Sequence, residues 1–235
     1  MKTQLVTALL LVMVPVFSIL IWRTLQFLQS QKNADWGSPL LNYLSGLNRL
    51  FCYRYHRLHG DVLNLPEKGG AIVVSNHFSG LDALLLTAAS NRPLRFLIAK
   101  EQYQRFGIQW LLRGIGCIPV ERERRPQQAF RTALRMLAQG ECVALFPHGG
   151  IHLDTDPPRR LKAGVVKLAA LSGCPIYPVR LDGIKGQGHT ILAIPMRSNV
   201  LLKVGECIDI EAMDEKQCLQ LIARYIETPN DISQD

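Results

Sequence analysis

The stretch VVSNHFSGLDALLL, residues 73–86, joins two apolar patterns through a short polar segment. The apolar run before Asn76 is short and continuous, which predicts a buried strand, and the run from Leu81 onward predicts a helix. His77 and Asp82 therefore fall at a strand–helix junction. A histidine and a carboxylate placed there can act as a general base and its orienting acid. A structural histidine is the alternative, and for a lone histidine it is the better expectation.

The alternation of strand and helix patterns continues along the chain from residue 71 onward. The strand-like segments are AIVVSN (71–76), LRFLIAK (94–100), CIPV (117–120), CVALF (142–146), PIYPVRL (175–181), TILAIPM (190–196) and NVLLKVGE (199–206). Besides the helix from Leu81, the helix-like segments are QYQRFGIQWLLRGIG (102–116), PQQAFRTALRMLAQG (126–140), LKAGVVKLAALSG (161–173) and DEKQCLQLIARYIE (214–227). This alternation predicts the α/β class, with a single domain built on a mostly parallel central sheet flanked by helices.

An apolar segment without charged residues precedes this domain. It is LVTALLLVMVPVFSILIW, residues 5–22, and its 18 residues are about the minimum for a spanning helix. A cleaved signal peptide is the alternative, but no small-x-small cleavage site follows the run. Arg23 and Lys32 follow it and favour a main domain on the cytoplasmic side of an inner membrane or its equivalent. We expect a retained membrane-anchoring helix that spans the bilayer or lies deep in one leaflet.

The segment after the anchor combines leucines at helical spacing with aromatic and arginine side chains. This pattern predicts an amphipathic helix on anionic lipid, although a helix packed on the protein body fits equally well. The sequence thus divides into a hydrophobic anchor (1–30), an amphipathic interfacial helical segment (31–66), the α/β domain (67–228) and a tail (229–235).

The overall charge limits the possible partners. With 27 Lys and Arg against 19 Asp and Glu, the formal net charge is +8. Such a balance favours nucleic acid, an anionic membrane or an acidic small molecule. Long runs of Lys or Arg and base-stacking motifs are missing from the sequence, so we expect no nucleic-acid partner. The six cysteines form no CxxC pair, which is typical of free thiols in a reducing compartment.

Four short polar motifs follow predicted strands or lie beside them. They are NHFSGLD (76–82), GCIPVER (116–122), LFPHGGIH (145–152) and CPIYPVRLDG (174–183). Ligands of open α/β sheets bind at the carboxyl ends of the strands, so these four motifs can share one site.

In their order and spacing, the motifs resemble those of the glycerolipid acyltransferases, the PlsC-type lysophosphatidic acid acyltransferases of bacteria. The N-H-x4-D motif of that family is matched by Asn76, His77 and Asp82, and its G-x-I-P-V-x-R motif is matched in full by residues 116–122. Tyr177–Val179 resemble its V/I-P-V element, while FLIAKEQ and LKAG resemble its F-x-x-K-x-E and F-K-x-G segments. The resemblance covers roughly residues 67–210.

The third motif departs from the family pattern F-P-E-G-T-R-S. Phe146, Pro147 and Gly149 are kept, but His148 replaces the acid and Gly150 replaces the threonine. The family arginine is missing as well. In the family this motif helps to hold the glycerol-phosphate acceptor, so the departure bears on the identity of the acceptor.

The resemblance implies O-acyl transfer from acyl-ACP or acyl-CoA to the hydroxyl of a lysophosphatidic acid at a membrane, which gives phosphatidic acid. No metal and no cofactor beyond the acyl donor is expected. His77 would be the base and Asp82 its orienting acid, as in a catalytic triad without the serine. The substrate-binding residues would be Asn76, Gly116, Arg122, Phe146, Pro147, His148, Gly149 and Lys162. The fork of Arg122 suits a phosphate, whereas Lys162 fits a surface charge equally well.

Three alternatives remain open at this stage. The same chemistry can act on another lysolipid or on a lipid alcohol. A metal-dependent hydrolase can use His77, His148 and His152, although Gly149 and Gly150 argue against the helix that an H-x3-H zinc pair prefers. A lipid-binding protein without catalysis is the third alternative, and the intact His77 and Asp82 argue against it.

Overall fold

The computed structural model describes residues 2–121, 126–210 and 213–229. A long helix, α1 (Lys2–Gln31), is followed by α2 (Pro39–Leu50), which continues into a π-helical turn at Phe51–Tyr55. The strands are β1 (His59–Gly60), β2 (Ala71–Ser75), β3 (Leu94–Ala99), β4 (Ile118–Val120), β5 (Cys142–Leu145), β6 (Ile176–Asp182) and β7 (Leu201–Val204). The other helices are α3 (Asp82–Ala89), α4 (Lys100–Tyr103), α5 (Gln109–Gly114), α6 (Pro126–Ala138), α7 (Gly164–Ser172) and α8 (Glu215–Glu227).

The seven strands of the described chain form one sheet in the order β1-β7-β6-β2-β5-β3-β4. Only β6 and β7 pair antiparallel, so the predicted α/β class with a mostly parallel sheet is confirmed. In the central strand β2, Val73 lies between Ala144 of β5 and Tyr177 of β6. All five side chains of β2 are buried, as expected for a parallel strand that is covered on both faces.

Successive β2 side chains enter two different hydrophobic cores. Val73 belongs to the core beneath α3 and the π-helical turn. Ile72 and Val74 belong to the core beneath α6, α7 and α8. The sheet is therefore the middle layer between two groups of helices, and its strand ends are fixed from both sides.

Two predicted elements differ from the structure. The strand predicted at 190–196 is wrong, because the segment folds into turns closed by Ile194 N–H to Ile191 O (3.0 Å) and Met196 N–H to Ala193 O (3.1 Å). The helix predicted at 102–116 is broken into α4 and α5. Gly107 adopts φ +87° between them, a conformation that an L side chain rarely adopts.

The predicted anchor is helical and its described side chains face outward. Leu11–Gln31 is long and apolar enough to cross a membrane, and its side chains from Leu11 to Thr24 are exposed. The helix α2 packs on α1 so closely that a Cβ on Gly46 would lie 1.9 Å from the carbonyl oxygen of Leu28. The amphipathic segment thus has one face on the protein, while Leu40 and Leu47 remain exposed.

Candidate active site

The carboxyl ends of the parallel strands bring three of the four motifs together. His77 follows β2, the third motif follows β5, and the fourth motif contains β6 itself. The backbone of His77 also pairs with that of His152, whose N–H donates to the His77 carbonyl at 2.8 Å. The first and third motifs are thereby joined directly, as the shared-site argument expects.

His77 and Asp82 form a hydrogen-bonded pair. His77 Nδ1 lies 2.7 Å from Asp82 Oδ2, and the Asp82 side chain is fully buried. The same oxygen accepts the backbone N–H groups of Phe78 (2.7 Å) and Ser79 (2.9 Å), and Asp82 Oδ1 accepts the Ser79 hydroxyl (2.9 Å). An ionised carboxylate only accepts, so the bond to His77 places the proton on Nδ1 and leaves Nε2 as the base.

The turn between the two residues depends on a glycine, for a reason that the sequence did not show. Asp82 begins α3, as the pairing with His77 requires, and residues 78–81 form the turn. A Cβ on Gly80 would lie only 1.8 Å from the carbonyl oxygen of Thr190. Glycine is therefore required by the close approach of the 190–196 segment, while its φ stays in the ordinary range.

Asn76 fixes the end of β2. Its buried side chain donates to the Leu181 carbonyl at 2.8 Å and accepts from the Leu181 N–H at 2.9 Å. The amide therefore completes the pairing of β2 with β6, one residue before His77. This geometry gives Asn76 a positioning role, whereas the sequence analysis placed it among the substrate-binding residues.

His77 opens onto an apolar cavity of about 510 Å³. Its ring stacks on Phe146 with centroids 4.0 Å apart and planes 10° apart, and Phe96 stacks behind Phe146 at 6.2 Å. Pro147 also lines the cavity, as do aliphatic residues from α3, β3, α5, α6 and α7. A cavity of this size with one titratable ring at its wall suits an acyl chain whose reactive end reaches His77.

His148 points toward α8 instead of lining this cavity. Its Nε2 lies 3.0 Å from Glu227 Oε1, and its ring centroid lies 4.3 Å from that of His152. Burial lowers the pKa of His148 below its ordinary 6.5, against the opposing effect of the Glu227 hydrogen bond. The two rings are thus close together although residues 148–152 are not helical. Nonetheless, the described residues contain no group of three or more His, Cys, Asp or Glu that could hold a metal.

Lys162 and Gly149 meet at the cavity wall. A Cβ on Gly149, which has φ +75°, would lie 2.3 Å from Lys162 Nζ, so the lysine side chain lies directly over the glycine. The Lys162 N–H also donates to the Pro147 carbonyl at 3.0 Å. Within the part of the chain that the structure describes, its ammonium group has no side-chain partner, and it is the cation nearest to the third motif at this wall.

The second motif is only partly described. Gly116 adopts φ +72° and turns the chain from α5 toward β4, packed beside the Arg95 side chain. It therefore shapes the backbone, and it is not among the residues that line the cavity. Arg122, the predicted phosphate clamp, lies outside the described residues, and its role stays a prediction.

Arg180 is a buried charged residue beside the site that the sequence analysis did not single out. Its fully buried guanidinium donates to both oxygens of Asp154, to Asp182 Oδ1 (2.9 Å from Nε) and to the Ile226 carbonyl. It also lies 5.2 Å from the ring centroid of Phe78, the residue after His77. Burial opposes its charge, but the bonds to Asp154 and Asp182 raise the pKa of Arg180 above its ordinary value. The sequence contained one signal that could have identified Arg180, namely a charged residue inside the apolar strand PIYPVRL.

The fold and the site define an α/β protein in which a histidine, hydrogen-bonded to a buried aspartate, lies at the carboxyl edge of the sheet and faces an apolar cavity. A family model described as Acyltransferase matches residues 58–182. The chain belongs to this acyltransferase family, and its resemblance to the PlsC-type members is confirmed.

Comparisons with individual proteins agree with this assignment. The chain is 29% identical over 121 residues to the 1-acyl-sn-glycerol-3-phosphate acyltransferase of Bacillus subtilis, a match that covers 51% of this chain and 59% of that protein. It is 32% identical over 189 residues to the N-acylphosphatidylethanolamine synthase of Arabidopsis thaliana, covering 72% of this chain and 66% of that protein. The crystal structure of PlsC from Thermotoga maritima has the same fold, with a TM-score of 0.61 at 20% identity over 82% of this chain and 80% of that one.

Proposed function

We propose that this protein transfers a fatty acyl group from a thioester donor, acyl-ACP or acyl-CoA, to the hydroxyl of a lysophosphatidic acid. The observation that carries the proposal is the His77–Asp82 pair at the wall of an apolar cavity. The names of relatives from Bacillus subtilis and Mycoplasma genitalium support this acceptor. The chain spans only about 50–60% of their lengths, so the activity is inferred from the site.

His77 and Asp82 together supply the proton transfers that this reaction needs. His77 Nε2 takes the proton of the acceptor hydroxyl as the oxygen attacks the thioester carbonyl. Asp82 holds the Nδ1 proton and stabilises the imidazolium that forms. The C–S bond of the tetrahedral intermediate then breaks, and the imidazolium returns the proton to the leaving sulfur. The acceptor oxygen is itself the nucleophile, so neither an enzyme nucleophile nor a cofactor enters the scheme.

Lys162 is the described residue best placed to bind the phosphate of the acceptor. It lines the cavity over Gly149 and has no carboxylate partner in the described ranges. Arg122 would add a bidentate contact to the same phosphate, as the intact G-x-I-P-V-x-R motif implies. Lys162 shares the cavity wall with His77, and a cation at this wall favours an acceptor that carries a phosphate over an uncharged lipid alcohol.

The apolar helix α1 supports a membrane location for the reaction. Its exposed segment Leu11–Gln31 would anchor the chain, with the α/β domain on the cytoplasmic side, where the acyl donors are soluble. The lysolipid acceptor would then reach the cavity from the bilayer.

The test is acyl transfer by the full chain in detergent or in membranes, with labelled acyl-ACP or acyl-CoA and a panel of lysolipids. The proposal expects labelled phosphatidic acid from lysophosphatidic acid, and none from the matched His77→Ala preparation. Equal product from both preparations, or no acyl transfer to any acceptor, would contradict it.

A second candidate keeps the chemistry and changes the acceptor to another phospholipid or lysolipid. Two observations favour it: His148 replaces the family acid, and one relative is named N-acylphosphatidylethanolamine synthase. The same panel separates the two candidates if phosphatidylethanolamine and the other lysophospholipids are included.

A further inference from the structure

Two segments that border the cavity expose large apolar side chains to solvent. We define the mouth loops as residues 104–114, which end in the short helix α5, and residues 187–197. The first loop exposes Phe106, Ile108 and Trp110, and Phe106 is fully exposed. The second loop exposes Ile191, Leu192 and Met196. Contiguous exposed apolar side chains of this size mark an interaction surface.

Both mouth loops belong to the entrance of the cavity that contains His77. Arg105, Ile108 and Leu111 of the first loop line the cavity, as do Ile191 and Ile194 of the second. An occupant of the mouth loops therefore lies where a lipid chain would enter or leave.

The charges around the loops indicate an anionic partner. From Gln102 to Val120 the sequence has no Asp or Glu, but it has Arg105 and Arg113. From 183 to 205 it again has no acid, but it has three cations, Lys185, Arg197 and Lys203. Apolar side chains flanked by cations are typical of surfaces that enter the headgroup region of anionic membranes.

Three polar groups of the loops, the Trp110 indole N–H and the carbonyls of Ile194 and Pro195, have hydrogen-bond partners within the protein. The indole N–H of Trp110 donates to the Gly107 carbonyl at 2.9 Å, so burial of the ring leaves no donor unpaired. In the second loop, the Pro195 carbonyl accepts from the Tyr55 hydroxyl at 2.6 Å, and the Ile194 carbonyl lies 3.1 Å from His56 Nε2.

These contacts also join the mouth loops to the helices beside the anchor. Tyr55 and His56 belong to or follow the π-helical turn that continues α2, and α2 packs on α1. At the other loop, a Cβ on Gly114 would lie 3.8 Å from the Leu41 side chain of α2. The mouth loops are therefore continuous with the exposed apolar surface of the N-terminal helices.

We propose that the mouth loops form a second membrane contact, distinct from α1, which binds anionic phospholipid and seats the cavity entrance in one leaflet. The contact extends the proposed function by stating how a lipid acceptor passes between the bilayer and His77. Both loops are positively charged, so two copies of the chain would repel each other at this surface. A bilayer with anionic headgroups is therefore favoured over a second copy.

The experiment uses the full chain in liposomes of anionic phosphatidylglycerol mixed with phosphatidylcholine that carries brominated acyl chains, which quench tryptophan. Two single-tryptophan chains retain Trp22 or Trp110. A third chain lacks all native tryptophans and carries Leu171→Trp at an exposed position of α7 that does not line the cavity. We expect about a twofold loss of emission for Trp22 and for Trp110, and no loss for Leu171→Trp. Removal of the other tryptophans could disturb folding, so the native chain is also compared with Trp110→Phe. The difference in quenching between these two chains is the contribution of Trp110, obtained with one conservative substitution.

A charge comparison sharpens this result. Arg105→Gln with Arg113→Gln should reduce Trp110 quenching, whereas the matched pair Arg131→Gln with Arg135→Gln, exposed on α6, should not. Unquenched Trp110 beside quenched Trp22 would overturn the proposal. A Trp110 emission that is already shielded in detergent and stays unquenched would overturn it in favour of a second protein copy.

The readout is independent of turnover. His77→Ala should lose acyl transfer and retain full Trp110 quenching. Failure of the proposed function therefore appears in the activity assay alone, and failure of the membrane contact appears in the quenching alone.

Discussion

The first and third motifs lie side by side at the carboxyl edge of the sheet, but they are held in different ways. Asp82 takes its four hydrogen bonds from His77, Phe78 and Ser79, all within five residues of it. In the third motif, His148 is held by Glu227, 79 residues further along the chain. The base is therefore a local construction, whereas the third motif depends on where α8 and Lys162 pack.

The largest expected effect follows from substitution of the His77–Asp82 pair. His77→Ala should abolish acyl transfer, because no other described side chain at the cavity wall is hydrogen-bonded as a base. Asp82→Asn should lower kcat about a thousandfold or more, because the imidazole loses its tautomer and its stabilising charge. Turnover in the labelled-donor assay is the measurement, with thermal unfolding as the control for folding. Near-normal turnover in His77→Ala would contradict the proposed mechanism.

The next effect tests whether long-range packing also positions the local base. Arg180→Met removes the guanidinium that exposed Asp154 and buried Asp182 share, and the loss of this contact at buried Asp182 costs up to about 3–5 kcal/mol of unfolding free energy. We expect a lower kcat at unchanged KM, because Phe78 and the strand pairing of His77 with His152 lose support. Denaturant unfolding and steady-state kinetics measure the two effects.

Arg180→Lys is the matched variant, since it keeps the charge but not the fork that binds both carboxylates. It should recover part of the stability and part of kcat. A fully active Arg180→Met would show that the first motif needs no support from β6.

A smaller effect concerns the phosphate. Lys162→Ala should raise KM for lysophosphatidate about tenfold, the value of one charge-assisted hydrogen bond, with little change for the acyl donor. Lys167→Ala, on the exposed side of α7 and away from the cavity, is the control. Arg122→Ala should act in the same direction. An equal rise for donor and acceptor would remove Lys162 from the acceptor site.

The smallest effect is a pH dependence within the third motif. Burial holds the pKa of His148 below 6.5, so the unfolded chain binds this proton more readily than the folded chain. Stability is then complete above pH 6.5 and declines as the pH falls through the folded pKa, by at most about 1.4 kcal/mol per pH unit for one proton. Unfolding of wild type and of His148→Gln at several pH values measures the difference.

His56 has a pKa lowered by the same cause, burial, and contributes in the same direction. This contribution is the same in wild type and in His148→Gln, so it cancels when their stabilities are compared. Equal slopes for the two proteins would show that burial does not lower the pKa of His148.

Much of this molecule followed from periodicity and motif order. The alternation of strands and helices, the apolar N-terminal helix and the His77–Asp82 pair were predicted because each depends on residues that are near one another in sequence. The strand predicted at 190–196 was wrong, since its apolar residues are explained by the cavity mouth and not by a sheet. Hydrophobic periodicity indicates that a side chain is shielded from water, but it does not indicate which surface shields that side chain.

What the sequence determined by itself is the kind of chemistry: a histidine and an acid across a short turn, next to a strand that is buried on both faces. Only the tertiary structure decided which distant groups complete the site. Arg180 joins β6 to Asp154, Lys162 lies over Gly149, and His148 turns to Glu227 instead of the cavity. These contacts join segments up to 79 residues apart, and their geometry is set by the packing of α7 and α8 against the sheet. Hydrogen-bond partners at such separation leave no spacing rule in the sequence, because it is the packed layers that bring them within reach.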